Sequence, residues 1–480
     1  MSRIKFLFVL IGLALILVLG VVSFNTSTSS GNGSSTYLPE ADTTAIFLKG
    51  TTAEFIGKNV NIVKNSYYGT IVEITGSGIY VIQGSLNRGF ISVSKKGLDV
   101  TIILNGANII SRNYAALTSL EKSNVTVVLA ENTTNSLLDG SNDGSASNKY
   151  YHTYNNKKHP NATLLVRGYL TIKGSGKLMV SSKYHNGIRS RAKLKIEDGE
   201  IEINAAKNAV KGNNAIVISG GIFNIVSGND GIQASTTLTI NNGVFNIDSG
   251  DDAIRAQNRL TINGGNINIT KCYEGLEAHD IDLNGGFVKI KSSDDGINVS
   301  GGWRVGDVEE VIDGTLTITG GEYYVEAGGD AVDSNGHILM SGGTVVAFGP
   351  TDTSSTDRSV DFDRTFIVTG GLLLGLGYTT DKMQAPALSD SAQHAFLAEI
   401  ATVPAGSLIN VSSDSGTEVL TIKTLGSTRS LLVSSHLLGK GVYKISAGGT
   451  HSGSANAMGL YEGGVYSGSS VVASVFARIY

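Results

Sequence analysis

Carboxylates recur along this chain at a fixed interval, in two columns set three residues apart. The first column reads Asn186, Asn208, Asp230, Asp252, Glu274, Asp295, Asp330 and Arg358. The second reads Arg189, Lys211, Gln233, Arg255, Glu277, Asn298, Asp333 and Asp361. Stacking of successive repeats in register would place Asp252, Glu274, Glu277, Asp294 and Asp295 on neighbouring rungs of one edge. Asp330, Asp333 and Asp361 would form a second group. Like charges about 5 Å apart repel, and burial makes the repulsion worse. A cation resolves the conflict, and calcium takes six to eight oxygens in flexible geometry. These eight carboxylates are therefore the expected calcium ligands. Aspartate is also common in solvated turns, and the chain has neither an EF-hand loop nor a glycine-rich nonapeptide calcium repeat.

The elements that must position these acids repeat with them. A glycine falls at Gly199, Gly221, Gly243, Gly265 and Gly286, spaced 22, 22, 22 and 21. A small residue follows at Ala209, Gly231, Ala253, Gly275 and Gly296, and an aliphatic one directly after it at Val210, Ile232, Ile254, Leu276 and Ile297. Each repeat holds two short period-2 runs separated by Asn-Gly, Gly-Gly or Asp-Gly, with no room for an amphipathic helix. The unit is thus a β coil, and stacking coils about 4.8 Å apart gives a parallel β-helix. Its interior columns are expected to be Phe223/Phe245/Ile267/Val288 and Ile225/Ile247/Ile269/Ile290. Cys272, the sole cysteine, is read as a buried small residue in a column with Gly228, Gly250, Ser293 and Gly328, so no intrachain disulfide framework exists.

Composition agrees: 61 Gly, 5 Pro and 16% charged residues among 480 suit a turn-rich all-β chain. Net charge is −4, which gives no general reason to expect nucleic acid. Charge is nevertheless graded along the axis. Residues 149–212 carry 13 Lys/Arg against 4 Asp/Glu, and residues 228–361 carry 7 against 21. A basic surface beside bound calcium suits an acidic polysaccharide.

Residues 1–24 open with a short basic stretch and then 19 uncharged residues from 6 to 24, long enough to span a bilayer or serve as a signal peptide. The remainder is expected to be extracellular or at the cell surface, secreted or tethered by this segment alone, and monomeric. Residues 25–36 read as a flexible linker. Residues 37–139 read as an N-terminal β cap and first coils, because an open coil needs capping. Residues 140–382 read as the β-helix, starting with a polar excursion at 140–160 and interrupted by an insertion at 301–313. Residues 383–480 lose the repeat and read as a small C-terminal β cap or domain.

Taken in order, GIYVIQGSL, VTIILNGANI, LTIKGSGKLMV, the Asp230-Gly231-Ile232 and Asp295-Gly296-Ile297 turns, CYEGLEA, GGDAVDSNG, SGGTVVAFGPT and MQAPAL resemble the bacterial carbohydrate-binding domain-containing proteins, over roughly residues 45–473. That resemblance implies a right-handed parallel β-helix similar in fold to calcium-dependent pectate lyases. It also implies binding of plant-cell-wall polysaccharide, cellulose or polygalacturonate, without cleavage. Carried over by position, it implicates Asp252, Glu274, Glu277, Asp295, Asp330, Asp333 and Asp361 in calcium binding. The chain departs from the pattern at Asn186, Arg189, Asn208 and Lys211, where acidic neighbours are usual.

Three readings follow. The first is a calcium-stabilised binding module, with Trp303, Tyr323 and Tyr324 as aromatic platforms for sugar rings. The second is a calcium-dependent pectate-type lyase, with Arg255 as base and Lys271 behind it; the same Arg255 would otherwise be an ion pair to the acidic ladder. The third is a structural or adhesion protein of the cell surface.

Overall fold

The computed structural model describes residues 43–112, 114–119, 121–139, 161–300, 303–305, 308–310, 313–351, 357–378 and 392–478. The expected leader or anchor (1–24), linker (25–36) and polar excursion (140–160) lie outside them. Among the described residues there is no helix, and therefore none long and apolar enough to cross a membrane.

Short strands stack in parallel on three faces to give a β-solenoid. One coil shows the plan. Thr237–Ile240 lies on the first face, Val244–Ser249 on the second and Ile254–Ala256 on the third. Each pairs in parallel with its counterpart one coil on: Leu238 with Leu260, Phe245 with Ile267, Ile254 with Leu276. The glycine column marks the turn between the first two faces. Gly199, Gly221, Gly243, Gly265 and Gly286 all have φ between 87° and 133°, a left-handed region that side chains other than glycine enter only at a cost. The small-residue column follows from close packing at the next turn: a Cβ on Gly296 would lie 2.1 Å from Val325 Cγ1 and 2.6 Å from the Ala331 carbonyl oxygen.

Alternation along each strand sends every second side chain inward. The columns Phe223/Phe245/Ile267/Val288 and Ile225/Ile247/Ile269/Ile290 stand in register and are at most 2% exposed. Phe223 and Phe245 stack face to face, with centroids 4.6 Å apart and planes 2° from parallel. Cys272 does not occupy the column its position predicts. The strand register shifts beside Asp248, where Thr270 adds a residue and hydrogen-bonds the Ile247 carbonyl, and the following turn is one residue shorter. Cys272 therefore aligns with Ser227, Ser249 and Ser292: Ser293 N donates to the Cys272 carbonyl as Gly250 N does to Ser227. Burial pushes its thiol up to about 12, aided by Asp252, Glu274 and Asp248.

Both ends are covered. Two antiparallel pairs, Thr43–Gly50 with Thr52–Ile56 and Val60–Asn65 with Gly69–Ile74, precede the parallel coils. At the other end Leu372–Gly377 pairs antiparallel with Thr428–Ser435, which also pairs with Ala395–Val403. Leu408–Ser413, Glu418–Lys423, Gly441–His451 and Tyr466–Ala477 form a further antiparallel sheet. This C-terminal unit packs on the outer side of the second face, against Tyr324, Val346, Phe348, Leu374 and Leu376. Within the insertion, Trp303–Val305 and Val308–Glu310 make an antiparallel hairpin outside the coil register.

The stacked pair gives a direct test of the interior. Phe245→Ala leaves a large void in a column that cannot collapse without breaking register, and should cost about 3–5 kcal/mol. Chemical denaturation measures it; a loss below about 1 kcal/mol would contradict this packing.

Candidate functional site

The carboxylates line the turn between the second and third faces and the outer side of the third. Register makes the second sequence column a spatial row: Arg189, Lys211, Gln233, Arg255, Glu277, Asn298, Asp333 and Asp361 pair successively across the sheet. The first column is held by hydrogen bonds between rungs, from a side chain in one case and from backbone N–H groups in two. Asn208 Nδ2 donates to Asp230 Oδ2 at 2.6 Å, Asp330 N donates to Asp295 Oδ1 at 2.8 Å, and Arg358 N donates to Asp330 Oδ1. Gly329 makes room for this: a Cβ there would stand 2.5 Å from Asp295 Oδ1 and 2.8 Å from Asp294 Oδ1.

Among the described residues four groups of oxygens result, each with its members within 4.8 Å of one another: Asp230/Asp251/Asp252, Asp252/Glu274/Glu277, Glu274/Asp294/Asp295 and Asp330/Asp333/Asp361. Two charges at that separation repel by about 3–4 kcal/mol at an effective dielectric of about 20. Burial and this repulsion together raise the carboxyls. Burial, then Asp252, then the remaining neighbours push Glu274 up to about 7 against the bond from Asn298. Burial, then Asp295, Asp330 and Asp361 push Asp333 up to about 8. Burial likewise brings Asp330 to about 7 and Asp295 to about 6, in each case against a backbone hydrogen bond that favours the charged form. Glu277 is raised by burial and by the adjacent Asp252.

Arg255 relieves the two groups that share Asp252. Its Nη1 donates to Asp252 Oδ2 at 2.9 Å, and its Nε lies 2.8 Å from Glu277 Oε2. Burial alone would lower this guanidinium; Glu277 and Asp252 outweigh burial and raise it. Arg358 similarly contacts Asp361. Lys271 belongs to the second face, paired with Asp248 and exposed, so it does not join Arg255.

The residues present fit a hard divalent cation. Glu274 Oε2, Glu277 Oε2 and Asn298 Oδ1 are buried and have no hydrogen-bond partner; Arg255 Nε is near Glu277 but not aligned to donate. Glu277 and Asn298 are each 8% exposed and are direct cross-strand neighbours. Glu274 Oε2 and Asn298 Oδ1, with Glu277 Oε2 facing only Arg255, are oxygens that a metal would complete.

Two aromatic expectations are corrected. Tyr323 is fully buried, with its hydroxyl donating to the Gly285 carbonyl at 3.2 Å, so it presents no face to a sugar. Tyr324 is 7% exposed because the C-terminal unit covers it, and Lys289 lies over its ring at 5.0 Å. Trp303 opens the inserted hairpin. Among the described residues the exposed aromatic near the acids is Tyr273, 49% exposed, whose hydroxyl is raised by the neighbouring Asp294. Its position depends on the register shift at Thr270, which spacing alone does not reveal.

These carboxyls hold protons more tightly in the fold than in the unfolded chain, where they titrate at about 4. Between about pH 4 and pH 8 the metal-free fold therefore binds more protons than the unfolded chain, and it loses stability as pH rises through that window. Its melting temperature should fall from about pH 5 to about pH 8, and saturating calcium should remove most of the fall. A metal-free melting temperature that rises over this range would contradict the site.

Comparison with known proteins sets the chain in context. Residues 68–310 match the family of carbohydrate-binding domain-containing proteins. A relative of that description from Acetivibrio thermocellus is 33% identical over 135 residues, which cover 28% of this chain and 45% of the relative. The chain thus spans less than half the length of that relative. The structure of the polysaccharide lyase-like protein from C. thermocellum, a gadolinium derivative, aligns with a TM-score of 0.39 and 23% identity over 62% of this chain and 96% of that one. The family match covers half of the sequence and includes the first carboxylate groups, and the chain belongs to the family of carbohydrate-binding domain-containing proteins.

Proposed function

We propose that this chain is a non-catalytic, extracellular polysaccharide-binding protein, built as a right-handed β-helix and stabilised by calcium on its acidic edge. Family membership supports the carbohydrate ligand. Calcium rests on the row of carboxylates with unpartnered buried oxygens: Asp252, Glu274, Glu277 and Asn298 would hold one ion, and Asp330, Asp333 and Asp361 another. A bound ion would neutralise charges that otherwise repel and would offer open coordination positions to a ligand's carboxylates or hydroxyls. The protein's contribution is rigidity. Each ligand oxygen sits on a strand or tight turn fixed by its neighbours above and below, so little ordering entropy is lost on binding.

The observation that carries the non-catalytic reading is Arg255. Abstraction of a proton next to a uronate carboxylate needs a base that can give up its own proton. Arg255 is clamped between Asp252 and Glu277, and both favour its charged form. It neutralises the ladder instead. Lys271, on another face, does not supply a second base beside the acids.

Incubation of the protein with polygalacturonate and calcium tests this, following both depletion of protein by the insoluble polymer and absorbance of unsaturated product. Depletion without product is the expected result. Product that disappears on Arg255→Ala would make the protein a lyase. Neither depletion nor product, with cellulose giving the same result, would leave a structural role at the cell surface.

A further inference from the structure

Three cations of the early coils differ from their neighbours Lys177 and Lys195, which pair with Glu200, Glu202 and Glu197. Arg255, Arg259, Arg364 and Arg429 each have a carboxylate oxygen within 3.0 Å. Arg189, Arg191 and Lys211 have no carboxylate of the described residues in ion-pair contact. Arg189 instead directs Nε and Nη2 at one neutral acceptor, Asn213 Oδ1, at 3.0 and 2.8 Å. Arg191 Nε is buried without a hydrogen-bond partner.

These side chains are close neighbours. Arg189 and Lys211 are cross-strand partners on adjacent rungs of the third face, about 4.8 Å apart along the axis. Arg191 is two residues beyond Arg189, on the same side of the chain, and its N–H bonds the Val166 carbonyl on the rung below. Burial lowers Arg189, and Arg191 lowers it further; burial and then Arg167 do the same to Arg191, and burial and then Arg189 to Lys211. The acids of residues 149–212 do not relieve them: Glu197, Asp198, Glu200 and Glu202 occupy the first turn and second face. Asp230 is the carboxylate that acts on Lys211, and Asn208 Nδ2 holds it. A cluster of half-buried like charges with Asp230 alone to offset it destabilises the fold unless something anionic binds there.

We propose that Arg189, Arg191 and Lys211 form a metal-independent oxyanion site that takes the carboxylate or sulfate groups of an anionic glycan. It rests on the polysaccharide-binding reading above and adds a second mode of contact to it. Two guanidiniums offer planar paired donors that match a carboxylate or sulfate, and the ammonium adds a point charge. Tyr169, 59% exposed and two residues beyond Arg167, presents an apolar ring of the kind that packs on sugars. The row that starts at Arg189 and Lys211 reaches Glu277, Asn298, Asp333 and Asp361 without leaving the third face. An anionic polymer lying along it would meet side-chain cations at one end and metal-bridged carboxylates at the other.

The test uses the full chain stripped of metal by chelator. Polygalacturonate supplies carboxylates, dextran sulfate supplies sulfates, and hydroxyethylcellulose is the uncharged control. The variant is Arg189→Gln with Lys211→Gln, since Gln233 already occupies the next rung of the row. Lys195→Gln, on the first face beside Glu197, controls for general charge loss. Metal-free protein should bind at least one anionic polymer, more weakly as salt is raised. The double variant should lose about tenfold or more in affinity, and Lys195→Gln should lose little. Whichever polymer binds names the group recognised. Equal binding by the double variant, with its melting temperature intact, would overturn the proposal, as would metal-free protein that binds neither polymer. Capture that persists with calcium in that last case would leave the polysaccharide reading standing; loss of capture with calcium as well would remove both.

Discussion

In-register stacking is the constraint on which the rest of this structure depends. Parallel pairing brings residue i directly over its equivalent one coil on, at a rung spacing of about 4.8 Å. Whatever side chain a coil position carries is therefore repeated at contact distance. For phenylalanine and isoleucine the repetition is favourable, and the interior columns exploit it. For amides it is also favourable: Asn224, Asn246 and Asn268 bond one another up the outer second face. For carboxylates it is unfavourable by several kcal/mol per contact at low effective dielectric, yet the chain repeats them from Asp230 to Asp361. A fold that accepts this cost along one edge has a counter-ion as its natural complement.

The same constraint explains why much was legible in the sequence. With a period near 22, columns can be written down without a structure, and both aromatic and aliphatic interior columns stand where the spacing puts them. The carboxylate groups likewise assemble from spacing, because register carries Glu277 onto Asn298 and Asp333 onto Asp361. Legibility ends where the period is broken locally or a contact is long-range. A one-residue shift at Thr270 moves Cys272 into the serine column and sets Tyr273 beside Asp294. Tyr324 faces outward on its strand, as alternation requires, but a C-terminal unit folded back over that face buries it. Neither event leaves a trace in the repeat. Asn298 shows a third limit: its column was visible, but its unpartnered Oδ1 is a fact of three-dimensional packing.

Function follows from how unevenly the edge is charged. The same backbone hydrogen bonds join successive rungs of the third face from Gly187 to Val332, while charge reverses along it. Arg255 stands at the reversal, tied to Asp252 on its own rung and Glu277 on the next. A surface of graded charge suits a regular polymer better than a small substrate.

Calcium titration calorimetry on chelated protein tests the central claim most directly. The account predicts saturable uptake of more than one ion per chain, with one class lost in Glu277→Gln, another lost in Asp333→Asn, and neither affected by Asp414→Asn on the C-terminal surface. Absence of saturable uptake, or uptake unchanged in both ladder variants, would show that the stacked carboxylates are balanced by retained protons and arginines alone.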